Sequence, residues 1–152
     1  MDIHDIPPSW HITYHFVWAP MRAKPCLIEE VAERLEDLIE QKADVLQFGL
    51  VRLVILPDRV YLAAEASPTV APHHIVCQVK AFTSRVLREE FPELTRIPTL
   101  WTRAYLVLAG EGLDVSDVMA RYDATQTPRR PRGRPRKRPA QTTDQIGPDI
   151  DE

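Results

Sequence analysis

The chain has 152 residues, 44% of them hydrophobic, enough for one packed domain with a real core plus a tail. Its two cysteines, Cys26 and Cys77, form no CxxC pair, which argues against a cysteine-built zinc site, and no apolar run reaches the ~18 residues of a membrane span. The net charge of −3 conceals an asymmetry: residues 1–128 hold 12 Lys/Arg against 18 Asp/Glu, whereas residues 129–152 hold 7 against 4.

The stretch Met1–Ser9 is acidic and lacks the apolar centre of a signal peptide, so a cytoplasmic protein with reduced thiols is expected, with residues 1–10 a flexible N-terminus. Residues 11–18 alternate in character and are rich in β-formers. They read as a strand with Ile12, Tyr14, Phe16 and Trp18 on one face and His11, Thr13, His15 and Val17 on the other. Leu27, Val31, Leu35, Leu38 and Ile39 recur at helical spacing, and Glu29, Glu33, Glu36 and Glu40 cover the opposite side, which predicts an amphipathic helix over 27–42. Residues 45–56 and 59–66 read as two strands of a hairpin turning at Leu56-Pro57-Asp58.

Pro72 opens the next helix, with Ile75, Val79, Phe82 and Val86 as its buried stripe and Lys80, Arg85 and Arg88 solvated, and Pro92 stops it. His73 and His74 are expected to be exposed near its start. Residues 102–109 read as a fourth strand, and Gly110 and Gly112 loosen the loop that follows. Asp114 caps a last helix whose apolar face carries Val115, Val118, Met119 and Tyr122. The order β-α-β-β-α-β-α implies an α+β fold, a ferredoxin-like split βαβ antiparallel sheet with an extra C-terminal helix.

Five prolines, Pro128, Pro131, Pro135, Pro139 and Pro148, fall in the last 25 residues. That shift marks a boundary near Thr127 between a domain over 11–127 and a disordered tail over 128–152. All seven tail cations, Arg129, Arg130, Arg132, Arg134, Arg136, Lys137 and Arg138, lie within ten residues. Proline favours an extended backbone, and Gly133 lets it approach a groove floor. Arg132 and Arg134, beside Pro135, would then lie along a narrow A·T minor groove, where negative potential is enhanced. Segment 129–139 resembles the AT-hook, and that resemblance implies binding to A·T-rich duplex. A generic basic linker is the plainer reading. Both require salt-sensitive affinity for DNA.

In the body, Tyr14-His15-Phe16-Val17-Trp18-Ala19-Pro20 is followed by Leu56-Pro57-Asp58, then Arg85-Val86-Leu87-Arg88 with Phe91-Pro92, then Leu100-Trp101 before Tyr105, and last Arg121-Tyr122 with Gln126. In this order and spacing the body resembles the single-tyrosine HUH transposases, the group around insertion sequence 200 and the REP-associated tyrosine transposases. Members of that family cut single-stranded DNA beside hairpins through a helical tyrosine that keeps the 5′ end as a phosphotyrosine. A divalent metal, held by two histidines of one strand and a polar residue one turn after the tyrosine, polarises the phosphate. Members usually act as dimers.

The resemblance puts Tyr122 at the nucleophile position and Gln126 at the third-ligand position. Arg59 and Tyr61 fall where the histidine pair should be. Arginine has no lone pair to give a metal, and a neutral tyrosine is a poor ligand for a hard ion. The expectation is a nucleoid-associated, homodimeric DNA-binding protein that has lost cutting and holds no cofactor. Single-stranded or hairpin DNA would meet the body and A·T duplex the tail. Two alternatives stay open. One is an active nickase using Mg2+ or Mn2+, in which Arg59 clamps the phosphate or His11 or His15 supplies a ligand. The other is a dimerising interaction protein that the tail anchors to DNA. Tyr122 is also placed to be a plain core residue, and His15 a hydrogen-bonded sheet histidine.

Overall fold

Strand alternation divides the molecule into two layers. In the structure, a computed structural model that describes residues 11–126, the predicted strands form as β1 (Ile12–Trp18), β2 (Gly49–Leu56), β3 (Arg59–Ala66) and β4 (Leu106–Ala109). The helices are α1 (Glu29–Leu46), α2 (Pro72–Glu90) and α3 (Val115–Gln126), with short 3-10 turns at Met21–Ala23 and Pro92–Arg96. The expected flexible start at 1–10, the boundary near Thr127 and the basic tail lie outside the described residues. By backbone contacts a first unit closes at Tyr122, and of the second only Asp123–Gln126 are described.

The sheet is antiparallel in the order β2-β3-β1-β4, so the described residues are α+β with three helices, as the element order implied. β1 and β3 are the inner strands, in register from Ile12 opposite Ala66 to Trp18 opposite Val60. Because successive side chains point to opposite faces, Tyr14, Phe16 and Trp18 join Val60, Leu62 and Ala64 on one side. There they meet Leu35, Leu38 and Ile39 of α1 and Ile75, Val79 and Leu87 of α2. Burying each such leucine or isoleucine is worth about 1.5–3 kcal/mol. The opposite face carries Val17, Tyr61 and Ala63 in a smaller cluster closed by Val118 and Tyr122 of α3.

Three features differ from the expectation. The first helix starts at Glu29 and runs on to Leu46, so residues 45–46 are helical and not strand. Buried Ala43 and half-buried Leu46 continue the apolar stripe past Ile39, Val45 points outward at 70% exposure, and Gln47 ends the helix in the left-handed region at φ 60°. The fourth strand is confined to Leu106–Ala109. Upstream of it, Trp101 keeps only an isolated antiparallel bridge to Pro20, through Thr102 N–H to Ala19 O, and Lys80 Nζ bonds the carbonyls of Thr102 and Arg103 at 2.7 and 3.2 Å in place of a sheet ladder.

The third difference is the buried face of α2, which is Ile75, Val76, Val79, Thr83 and Leu87, with Phe82 and Val86 at its margin. Nor are the cations all solvated: Lys80 is half-buried, and Arg88 Nη1 and Nη2 reach Pro98 O and Ile97 O, each at 3.1 Å.

Thr83 is the polar member of that face, at 0% exposure. Its Oγ1 donates to Val79 O at 2.8 Å and accepts the Trp101 indole N–H at 3.1 Å, while the Trp101 ring packs edge-on against Trp18 at 6.0 Å. Thr83→Val keeps the shape but leaves the Trp101 N–H buried without its acceptor. It should therefore lower unfolding stability by about 1–3 kcal/mol in a denaturant titration. A change within error would mean that the indole finds another partner.

Candidate functional site

β3 begins directly after the Pro57-Asp58 turn, and its period of two puts Arg59 and Tyr61 on the α3 face while Val60, at 0% exposure, enters the main core. The β1–β3 register sets Val17 opposite Tyr61 and His15 opposite Ala63. His15 is therefore diagonal to Tyr61, within reach of an aromatic side chain. Tyr61 Oη lies 2.7 Å from His15 Nδ1, and His15 Nε2 lies 2.9 Å from Gly110 O.

A carbonyl oxygen only accepts, so Nε2 carries the proton and donates to Gly110. Nδ1 then accepts from the Tyr61 hydroxyl. The loop can offer that carbonyl because Gly110 adopts φ 135°, a conformation closed to residues with a β-carbon. His15, at 4% exposure, is the hydrogen-bonded sheet histidine that the strand pattern allowed, and both of its nitrogens are engaged.

Burial pushes the Tyr61 phenol above its ordinary pKa; Arg52 pulls it down in part and Asp114 adds to the rise. Tyr61 therefore stays protonated at neutral pH. Its neighbour on the same face, Arg59, carries its guanidinium 5.8 Å from the centre of the Tyr122 ring, within cation–π range, with Nε 3.4 Å from Asp58 Oδ1. Tyr122 itself is 6% exposed and packs with Val118 against Val17 and Ala63.

The fold thus brings Arg59, Tyr61 and Tyr122 to one face. Gln126 is the last residue of α3, and its side chain, like Arg129, Arg130, Arg132, Gly133, Arg134, Pro135, Arg136, Lys137 and Arg138, lies outside the described residues.

The donor chemistry here does not fit a hard divalent cation. The guanidinium has no lone pair to give, the phenol is neutral and bonded to His15, and His15 has no nitrogen left over. His11, the other candidate ligand, lies with Nδ1 3.4 Å from Glu65 Oε1. What the face can offer is a fixed cation beside a phenol, an arrangement suited to an anion such as a phosphate.

Sequence reasoning missed Arg52 and Gly110. Arg52 lines, with Thr13, His15, Tyr61, Glu65 and Asp114, a groove of about 450 Å³ next to the pair. No local signal points to either; strand register brings Arg52 in, and Gly110 approaches His15 from 95 residues away.

A consequence of the Tyr61 environment can be measured. An acid whose folded pKa is raised adds stability that is full below its ordinary pKa, ~10 for tyrosine, and is lost as pH rises through the raised value. Tyr61→Phe removes this dependence. It should lower the free energy of unfolding at neutral pH by about 1–3 kcal/mol, for an unpaired buried Nδ1, yet flatten the alkaline decline above pH ~10. Parallel alkaline slopes in the two proteins would refute the assignment.

Comparison with known proteins bears on the family and the fold. The family description "Transposase IS200 like" matches residues 8–126. The ISDra2 transposase TnpA of Deinococcus radiodurans is 26% identical over 102 residues, covering 65% of this chain and 73% of that protein. A crystal structure of a Deinococcus radiodurans R1 protein taken for a transposase superposes with TM-score 0.70 at 28% identity, over 77% of this chain and 92% of that one. A more distant likeness, at TM-score 0.47 and 13% identity over 73% of this chain and 62% of the other, is to the REP-associated tyrosine transposase bound to a REP hairpin. With the match extending from the first strand through the tyrosine helix, the chain belongs to the IS200-like transposase family.

Proposed function

We propose that this chain binds DNA as a transposase-family protein whose metal-assisted strand cutting has been lost. The observation that carries the reading is the pair at the start of β3. Where the family resemblance calls for two metal-binding histidines, Arg59 stands over the Tyr122 ring and Tyr61 donates to His15. Two permanent commitments of that kind favour holding a DNA phosphate over activating one: Arg59 supplies charge without Lewis acidity. Tyr122 keeps the nucleophile position in a buried, packed setting.

In this reading the protein acts as a homodimer without a resident metal. Its body engages single-stranded or hairpin DNA, and the segment 129–139 adds contacts to A·T-rich duplex. The acidic balance of residues 1–128 leaves much of the electrostatic attraction to that segment. A second reading has one observation in its favour. The Arg59 cation sits beside the Tyr122 ring, so a phosphate held there would lie close to the phenol, and Arg59 would stabilise the charge of a metal-free attack.

The two readings part in one experiment. Incubated with hairpin-bearing single strands and magnesium or manganese, the full chain should retard the DNA without forming a covalent product. A protein–DNA adduct that disappears in Tyr122→Phe would establish cutting and sink the binding-only reading. The tail contribution separates independently. Replacing Arg132 and Arg134 together by alanine should weaken binding to A·T-rich duplex and lower the log–log salt slope by roughly one to two, since each lost phosphate contact removes about 0.9. Hairpin binding, which draws on the five remaining tail cations and the body, should weaken less. Equal loss on both DNAs would make the tail a general polyanion arm.

A further inference from the structure

Where α2 meets the segment ahead of β4, a groove of about 500 Å³ opens between the helix and residues 99–103. The backbone puts it at the same end of the sheet as Arg59. Trp18, the last residue of β1, pairs with Val60, next to Arg59, and Thr102 N–H donates to Ala19 O, directly after β1, at 3.0 Å. Arg59 stands on the α3 face, whereas the groove opens on the α2 side of the sheet. The charged residues lining the groove are Lys80 and Arg103, and no Asp or Glu lines it. That is against the balance of the body, where 18 Asp/Glu outnumber 12 Lys/Arg over residues 1–128.

Lys80 is the anchor of this groove. An ammonium has three donors. Two of them go to Thr102 O at 2.7 Å and Arg103 O at 3.2 Å, which are neutral acceptors. Among the described residues no carboxylate pairs with Lys80. Its charge is therefore half-buried and not neutralised, and burial holds its pKa below the ordinary lysine value. A cation in that setting is destabilised until an anion approaches. Arg103 stands exposed beside it, Ser84 brings a hydroxyl, and Ala81 and Trp101 give the walls apolar surface. Donors set among apolar walls, without a competing carboxylate, suit a phosphodiester whose sugar or base leans on the wall.

We propose that this groove takes a phosphodiester of single-stranded DNA, so that one strand passes around the end of the sheet from Arg59 on one face to Lys80 and Arg103 on the other. The inference rests on the DNA-binding reading above and adds a second contact to it. The loop after β1 continues the track: Met21 N–H donates to Leu100 O at 2.8 Å, which holds the exposed Arg22 and Lys24 at the same end. Duplex DNA, with a persistence length of ~150 base pairs, cannot follow so short a turn, whereas a single strand can.

The test uses the full chain and a fluorescent oligothymidine. Arg103→Ala should weaken binding and lower the log–log salt slope by about 0.7, the share of one phosphate contact on a single strand. Arg85→Ala removes the same charge from an exposed position of α2 outside the groove and should leave the slope unchanged. Cys77 lines the groove and is exposed, so it reports occupancy. Saturating oligothymidine should slow its alkylation by N-ethylmaleimide severalfold, with Cys26, half-buried and outside the groove, as the internal reference. A·T-rich duplex should leave Cys77 open. An unchanged slope in Arg103→Ala, or alkylation of Cys77 unaffected by the strand, overturns the groove while the binding reading stands. Equal protection of Cys77 by duplex overturns the single-strand class. Failure of the unaltered chain to bind any DNA overturns both.

Discussion

Antiparallel pairing of β1 with β3 determines where every other group of interest can stand. These are the inner strands, and a slip of one residue between them would exchange the core face for the α3 face along the whole length. The slip is opposed from both sides. Phe16, Trp18, Val60 and Leu62, all at 0% exposure, would have to leave the larger core, and Arg59 would have to enter it. The same register that satisfies the core places Val17 opposite Tyr61 and His15 one step along, and so permits the hydrogen bond between the two strands.

That bond makes the α3 face polar yet satisfied. A buried imidazole and a buried phenol would each be costly alone. Linked to each other and to Gly110 O, they form a chain in which every donor meets an acceptor. Arg59 adds charge at the edge of the same cluster, held by the Tyr122 ring and by Asp58. The result is a face on which the imidazole and the phenol satisfy each other while a guanidinium stands at the edge.

Much of this arrangement was legible in the sequence. Clean alternation gave β1 within one residue and β3 at its observed ends, and Pro72 fixed the start of α2 because proline tolerates only the first turn. The shared face of Val115, Val118, Met119 and Tyr122 followed from helical spacing alone. What escaped were features decided by partners distant in the chain. Leu46 belongs to the helix because a tertiary partner buries it, and 102–105 fails as strand because Lys80 claims two of its carbonyls. The buried stripe of α2 was misjudged because Thr83, polar by composition, is the residue whose hydroxyl links Trp101 to the helix. In the site, the residue types at 59 and 61 were plain to read, but the commitment of both His15 nitrogens required the fold.

The two faces of the sheet carry unequal loads. The side packed by α1 and α2 holds most of the large buried side chains, whereas the α3 side rests on a handful. The larger core and the candidate-site face thus lie on opposite surfaces of the same strands, with alternate residues assigned to each. The residue at 59, which stays outside the larger core, can change the chemistry of that face while residues 60 and 62 hold the molecule together. Inheritance of shape and inheritance of activity can then proceed at different rates along a single eight-residue strand.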